Sequence, residues 1–410
     1  MTLANPSFPR HGSLSGARRL SIVGQLIDHA LPALRFGRLQ LHLPNGDLVE
    51  RNGGGDGPHA VLQAHKWRAL WRMFADGECG LSKGYLDGDW STPALYDLLE
   101  LFARNEAALR RAAHGSKTSI LRNRLLHRLR SNSRRGSRHN IAAHYDLGND
   151  FFSPWLDAGM NYSSALYAGA STLEAAQEAK LDRVAALLDL SGGESILEIG
   201  CGWGALAERL LRRSGASVCG ITLSREQLSR GRMRLAVEVA AGRADLRLQD
   251  YRDVAGTFDR VASIEMVEAV GEHYWPTYFA KLGACLRNGG VAVLQAITIA
   301  EDRFDTYRRR PDFIQRYIFP GGMLPTRSLI EKHAARAGLA LIHREFFGSS
   351  YAHTLREWRL RFAKAWPEIE RLGFDGRFRR MWEYYLAYCE VGFRTGRVDV
   401  GLFKFQKTLS

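Results

Sequence analysis

The segment Ile196-Leu197-Glu198-Ile199 is an apolar run that carries one acid, and the chain then turns through glycine at every second position: Gly200, Gly202 and Gly204. A helical pattern begins at Ala205. Glycine at alternate positions lets the backbone turn tightly and approach a ligand with no Cβ in the way. The same strand-then-helix rhythm continues downstream. Ser217–Ile221 precedes a helix from Ser224, and Leu246–Gln249 and Arg260–Ile264 precede a helix from Glu272. Val291–Ile299 closes the series. Strands separated by helices pack as βαβ units around a parallel sheet. The expected fold is α/β and Rossmann-like, with a mainly parallel sheet.

The spacing separates two ligand classes. A dinucleotide fingerprint reads Gly-x-Gly-x-x-Gly, and its second strand ends in an acid that grips the ribose. Here the glycines alternate strictly, Glu198 stands two residues before the first, and the second strand runs out through Thr222-Leu223-Ser224. Thr222 or Ser224 also suits capping of the next helix. The combination resembles the cofactor turn of class I S-adenosyl-L-methionine (SAM) methyltransferases.

Upstream, Arg35–Glu50 alternates apolar and polar residues around Pro44-Asn45-Gly46-Asp47, as a β-hairpin does. Gly53–Gly57 reads as a loop, and His65–Asp76 and Pro93–Ala108 as helices flanking a turn at Gly84–Trp90. This predicts a small α+β domain over residues 1–108 with no catalytic constellation. Residues 109–140 form a basic linker, and residues 141–410 the catalytic domain. From Ala107 through Tyr145 there is no acid, while ten Arg and Lys residues fall inside, part of a net charge of +14. Ile120, Leu121, Leu125, Leu126 and Leu129 recur among the arginines at helical spacing, ahead of the polar tether Ser131–Arg138. A basic amphipathic helix fits either packing on a neighbouring domain or an anionic membrane surface, where each basic residue contributes ~1 kcal/mol.

Several classes are excluded or disfavoured. Five cysteines without a CxxC pair argue against a disulfide framework or a zinc site, so no metal is expected. Gln295 interrupts Val291–Ala300, the nearest approach to a membrane span, and Asp28 and His29 cut Leu20–Leu26 too short for a secretion signal. A cytoplasmic protein attached peripherally to the membrane is the expectation. An amino-directed RNA or DNA methyltransferase would carry Asn/Asp-Pro-Pro-aromatic after the fourth strand. Ser263-Ile264-Glu265-Met266 stands there instead, so nucleic acid is not the expected partner.

Motifs across the chain resemble one family, the cyclopropane-fatty-acyl-phospholipid synthases and the related mycolic acid methyltransferases. The matching segments are His144-Tyr145-Asp146-Leu147-Gly148-Asn149-Asp150-Phe151-Phe152, Met160-Asn161-Tyr162-Ser163, Gly200-Cys201-Gly202-Trp203-Gly204, and Thr222-Leu223-Ser224 with Gln227. Gln249-Asp250-Tyr251-Arg252-Asp253, Tyr317-Ile318-Phe319-Pro320 and Ala365-Trp366-Pro367-Glu368 complete the set. The resemblance implies a SAM site built from Tyr162, Ser163, Glu198, Gly200, Cys201, Gly202, Trp203, Gly204, Thr222, Leu223, Ser224 and Gln227, with Tyr251 and Arg252 near the adenine. It implies methyl transfer to the double bond of unsaturated phospholipid acyl chains, and it allows a homodimer.

The implied reaction leaves a carbocation on the acyl chain, which a dry pocket of facing aromatic rings stabilises. Candidates lie in the last third of the chain, among them Tyr317, Tyr351, Trp358 and Trp382. An apolar tunnel must replace the bilayer around the acyl chain, since each methylene withdrawn otherwise costs ~0.8 kcal/mol. As proton acceptor the resemblance implies a bound bicarbonate. Glu268, Ile297 and Tyr317 match the residues that hold it, but Ser164 stands in place of Cys, Gln295 in place of His, and Ala269 in place of a further His. Glutamine neither titrates nor carries charge. Proton loss from the transferred methyl closes a cyclopropane, the favoured outcome, whereas loss from a neighbouring chain carbon gives a methyl-branched alkene. Cys389 matches a family cysteine, although carbocation chemistry needs no thiolate. The changed acceptor set also leaves room for a catalytically silent lipid-binding homologue.

Overall fold

The computed structural model describes residues 20–112 and 147–408. The basic segment around Ile120–Leu129, the tether Ser131–Arg138 and His144-Tyr145-Asp146 lie outside the described residues.

The N-terminal unit is a four-stranded sheet in the order β2-β1-β3-β4. Its strands are β1 (Phe36–His42), β2 (Leu48–Asn52), β3 (Gly55–Ala64) and β4 (Trp90–Ser91). The hairpin expected around Pro44–Asp47 joins β1 and β2. The glycine run read as a loop is partly strand: β3 starts at Gly55 and runs parallel to β1. Glycine is required there because a Cβ on Gly55 or Gly57 would come within 2.8 Å of Phe36 or Gly37. Helices Ile22–Ala30, Trp67–Asp76, Glu78–Leu86, Leu95–Arg104 and Glu106–Ala112 complete the described part of the unit.

Seven further strands form the main sheet in the order β10-β11-β9-β8-β5-β6-β7. These are β5 (Ser195–Ile199), β6 (Ser217–Thr222), β7 (Ala244–Leu248), β8 (Phe258–Ile264), β9 (Leu286–Ile299), β10 (Leu339–Phe346) and β11 (Val398–Lys407). β5 to β9 pair in parallel, and β11 lies antiparallel between β9 and β10. The chain winds outward in both directions from β5. Ligands bind at such a switch point, beyond the carboxyl ends of the strands, and here those ends are Gly200 after β5 and Glu265 after β8. The expected helix at Glu272 is one 3-10 turn, Glu272–Tyr274, before the α-helix Trp275–Cys285 with Pro276 in its first turn.

The last hundred residues, mixed in sequence pattern, include β10, β11, the helix Arg327–Arg336 and two long helices, Gly348–Arg371 and Gly376–Arg394. Trp358 and Trp382 from these helices are fully buried with Phe151, Phe152 and Trp155. Edge-on ring contacts of 4.9–6.3 Å tie Phe151 to Trp382 and Trp155 to Phe362 and Trp358. The N-terminal unit docks on the second helix: Arg380 donates to the Leu86 carbonyl (2.9 Å), and Tyr85 to Glu383 (3.3 Å). Among the described residues no helix is long and apolar enough to cross a membrane.

Candidate active site

At the end of β5 the Gly200 and Cys201 amides both donate to the Ile221 carbonyl, at 2.9 and 3.0 Å, which pins the turn to β6. Gly200, Gly202 and Gly204 have φ of +83°, +52° and +84°, in the left-handed region that favours glycine. A Cβ on Gly202 would meet no protein atom within 4 Å, so that face of the turn is open. Cys201 is buried against Gly220, where a Cβ would come 3.1 Å from its own, and burial keeps its thiol protonated. The cysteine fills a small space in the turn.

Glu198 is 2% exposed and its Oε2 has no partner. Burial pushes its pKa up to about 8, against the pull of Lys180. Ser224 is the helix cap and accepts from the Gln227 amide at 3.2 Å. Thr222 does something else: its hydroxyl accepts from Ser224 N–H (3.1 Å) and donates to the Gln227 side-chain oxygen (2.7 Å), fixing how that amide is presented. Leu223 is half-buried between them. After β7, Tyr251 packs 5.5 Å from Tyr278 with its hydroxyl buried and unpartnered. Arg252 pairs with Asp250 at 2.6 Å and lies 5.4 Å over the Tyr251 ring.

Tyr162 and Ser163, some forty residues before the turn in sequence, are carried to it by aromatic packing. Trp203 of the turn donates to Asn149 (2.6 Å) and packs 5.4 Å from Phe152, whose ring lies 5.3 Å from Tyr162. The Tyr162 hydroxyl meets that of Tyr385 at 2.8 Å, and its ring lies 5.3 Å from Trp358. Ser163 accepts from the buried Lys180 ammonium at 2.9 Å.

Ser164, Gln295, Ile297 and Glu268 do come together, around the carboxyl ends of β8 and β9. Ile297 N–H donates to Glu268 Oε1, while Glu268 Oε2 is buried without a partner. Burial, with the neighbouring Glu265 charge second, pushes Glu268 up to about 8. Glu265 itself accepts from Ser164 N–H (2.8 Å) and the Gln295 amide (2.7 Å) on Oε1, and from the Tyr351 hydroxyl (2.7 Å) on Oε2. Burial raises its pKa, and those three bonds oppose the shift. Tyr317 sits on a single π-helical turn, Ile314–Ile318, with its ring 5.3 Å from Phe313. The segment just beyond reaches the pocket through Met323 N–H, which donates to the Glu268 carbonyl at 2.8 Å. Cys389 is half-buried, and burial of the thiol together with Asp312 holds it far above the usual range.

Glu265 and Lys180 belong to this site although no motif singled them out for it, and Tyr351, one of the candidate rings, joins it through its hydroxyl. Lys180 had a signal: with Gln177 it falls on the stripe Ala176, Leu181, Val184 that its helix buries. Its ammonium, destabilised by burial, is supported by Glu265, Asp157 and Glu198. A separate surface cleft of about 490 Å³ lies beside the end of β9, lined by Ile299, Phe347, Phe393 and Arg327, and the glycine turn takes no part in it. Among the described residues no cluster of His, Cys, Asp or Glu could hold a metal ion.

This geometry has relatives. Residues 132–403 match the family model described as mycolic acid cyclopropane synthetase. The chain belongs to this family. The synthetase-family chain is 40% identical to tuberculostearic acid methyltransferase UfaA1 of Mycobacterium tuberculosis over 391 residues, 88% of each protein. It is 35% identical to the cyclopropane-fatty-acyl-phospholipid synthase of Escherichia coli K12, covering 82% of this chain and 85% of that one. Among solved structures, the cyclopropane synthase MmaA2 of M. tuberculosis aligns with a TM-score of 0.62 at 31% identity, covering 66% of this chain and 98% of that one. Mycolic acid cyclopropane synthase CmaA1, complexed with SAH and CTAB, aligns with a TM-score of 0.62 at 29% identity and the same coverage. The synthetase-family chain is accordingly a SAM-dependent, lipid-modifying methyltransferase with the class I α/β fold.

Proposed function

We propose that this enzyme adds a methyl-derived carbon to the double bond of unsaturated acyl chains in membrane phospholipids, with a cyclopropane as product. The observation that carries the reading is the continuity of two features. An open glycine turn adjoins a wall of rings (Trp203, Phe152, Tyr162, Trp358), and that wall leads through Tyr351 to a pair of buried carboxylates.

The residues fit SAM. Turn amides suit its carboxylate, and the partnerless Glu198 oxygen suits its ammonium. Gln227, oriented by Thr222, and the Tyr251–Arg252 pair suit ribose and adenine. When bound there, SAM supplies an electrophilic sulfonium methyl. The chain's own contribution is to align that methyl with a weak π nucleophile, a proximity effect. It also keeps water out with buried rings, and it faces the cationic acyl carbon with the π clouds of Tyr162 and Trp358. The domain division at 1–108, 109–140 and 141–410 belongs to the same proposal, as does homodimer formation. So does peripheral attachment to an anionic bilayer. It is supported by an exposed stripe on helix Trp67–Asp76, where Trp67, Trp71 and Phe74 are 43%, 73% and 44% exposed.

A second product reading is a methyl-branched alkene, favoured by the altered acceptor pocket, where Ser164 and Gln295 engage Glu265. Lipids from a host expressing the chain, analysed by mass spectrometry and then by NMR or hydrogenation, test both. Ring protons at high field support the cyclopropane, an olefinic methyl branch supports the second reading, and no mass gain refutes the proposal.

A further inference from the structure

Glu265 is the acid of this pocket that the family motif leaves unexplained. It is fixed by three donors, Ser164 N–H, the Gln295 amide and the Tyr351 hydroxyl, at 2.7–2.8 Å. Two of these belong to Ser164 and Gln295, the positions where this chain departs from the residues implied for holding bicarbonate. Groups that would grip a free anion grip a side chain instead. The backbone adds a second observation: Glu265 has φ +50°, a left-handed conformation costly for any residue but glycine. The ladder enforces it, since Glu265 N–H donates to the Gln295 carbonyl at 2.8 Å. A strained backbone that delivers a buried carboxylate to three donors is poorly explained as packing, for which glycine at this φ would serve better.

We infer that the Glu265 carboxylate is a built-in base that takes the place of bicarbonate in this enzyme. The inference rests on the reaction proposed above. In the step assigned to it, a C–H bond of the methylated acyl cation breaks. Its electron pair goes to the electron-deficient carbon, closing the ring or forming a new double bond, and its proton goes to a Glu265 oxygen and later to solvent. A carboxylate has about four lone-pair sites, so one remains for that proton after the three donors are counted. Gln295 and Tyr351 act as positioning residues. Burial raises the Glu265 pKa and so strengthens it as a base, while its three donors and Lys180 oppose the shift.

The test uses the full chain, SAM and dioleoyl phosphatidylglycerol vesicles in buffer freed of carbon dioxide, with release of S-adenosylhomocysteine as the rate and SAM binding followed by calorimetry. Wild-type turnover should not respond to added bicarbonate. Glu265→Gln, near-isosteric but unable to accept the proton, should lose about 10²-fold or more in kcat, the range of general-base catalysis, with SAM binding retained. Glu265→Gly relieves the backbone strain and exposes the Ser164 and Gln295 donors, so it should lose as much and regain activity on adding bicarbonate. A merely structural role would alter stability without that rescue. Wild-type-like turnover by Glu265→Gln, or a wild-type rate that itself climbs with bicarbonate, overturns the inference. The wild-type response decides even if neither variant folds. Intact SAM binding with no wild-type methyl transfer overturns the proposed reaction first, and this assignment with it.

Discussion

Gly202→Ala separates a ligand cradle from an ordinary tight turn. Gly202 has φ +52°, and an added Cβ would touch no protein atom within 4 Å. The folded chain therefore bears only the left-handed penalty of an L residue, about 1–2 kcal/mol. At this domain size each kcal/mol lowers Tm by about 2–4 °C. Gly242 provides the control. It has φ +70°, also with nothing within 4 Å, and lies just before β7, at the amino rather than the carboxyl ends of the strands. Gly242→Ala should lower Tm comparably. The two variants should part in calorimetry with SAM. A methyl group on the open face of the turn displaces the ligand from the backbone, so Gly202→Ala should bind SAM at least about tenfold more weakly, ~1.4 kcal/mol, while Gly242→Ala binds as wild type. Equal SAM affinity in both would refute the cradle and leave the three glycines with a purely structural role.

Three other outcomes follow from the site and the surface. Burial raises the Glu268 pKa to about 8 from an ordinary 4.5, so the fold favours its protonated form. That contribution is full below pH 4.5 and is lost as pH rises through about 8. Glu268→Gln should therefore match wild type in urea melts near pH 4 and exceed it near pH 9, and a gap independent of pH would contradict the shift. Trp71→Ala, a change at a 73% exposed indole, should leave Tm nearly unchanged and weaken sedimentation with anionic vesicles. Unaltered sedimentation would remove this helix from the membrane contact. Cys389→Ala should keep near-wild-type kcat because its buried thiol does not ionise at working pH, and a large loss would give the sulfur a chemical role.

Much of the catalytic domain was legible because local pattern and tertiary role coincide there. β5 covers the apolar run Ile196–Ile199 and starts one residue earlier, and the helix begins at Ala205 as the glycine turn requires. β10 and β11 were less legible. They pair antiparallel at the sheet edge and alternate buried with exposed positions only in part. At the N-terminus, glycines that signal loops in sequence lie instead in a strand where two backbones press together. In the site, the motif positions Ser164, Gln295, Ile297 and Glu268 lie around the carboxyl ends of β8 and β9. Glu265 was read only as evidence against another enzyme class. Its meaning depends on donors from three distant segments, 101, 30 and 86 residues away, and no local pattern encodes such a convergence.

The most direct measurement of the central claim uses SAM labelled in its methyl group and vesicles of unsaturated phospholipid. Label and S-adenosylhomocysteine are counted together after the lipid is extracted and its acyl chains released. One labelled carbon in an acyl chain, at the former double bond, is expected for each S-adenosylhomocysteine formed. Label confined to the head group or to water, or absent from the lipid while SAM still binds, would contradict the claim.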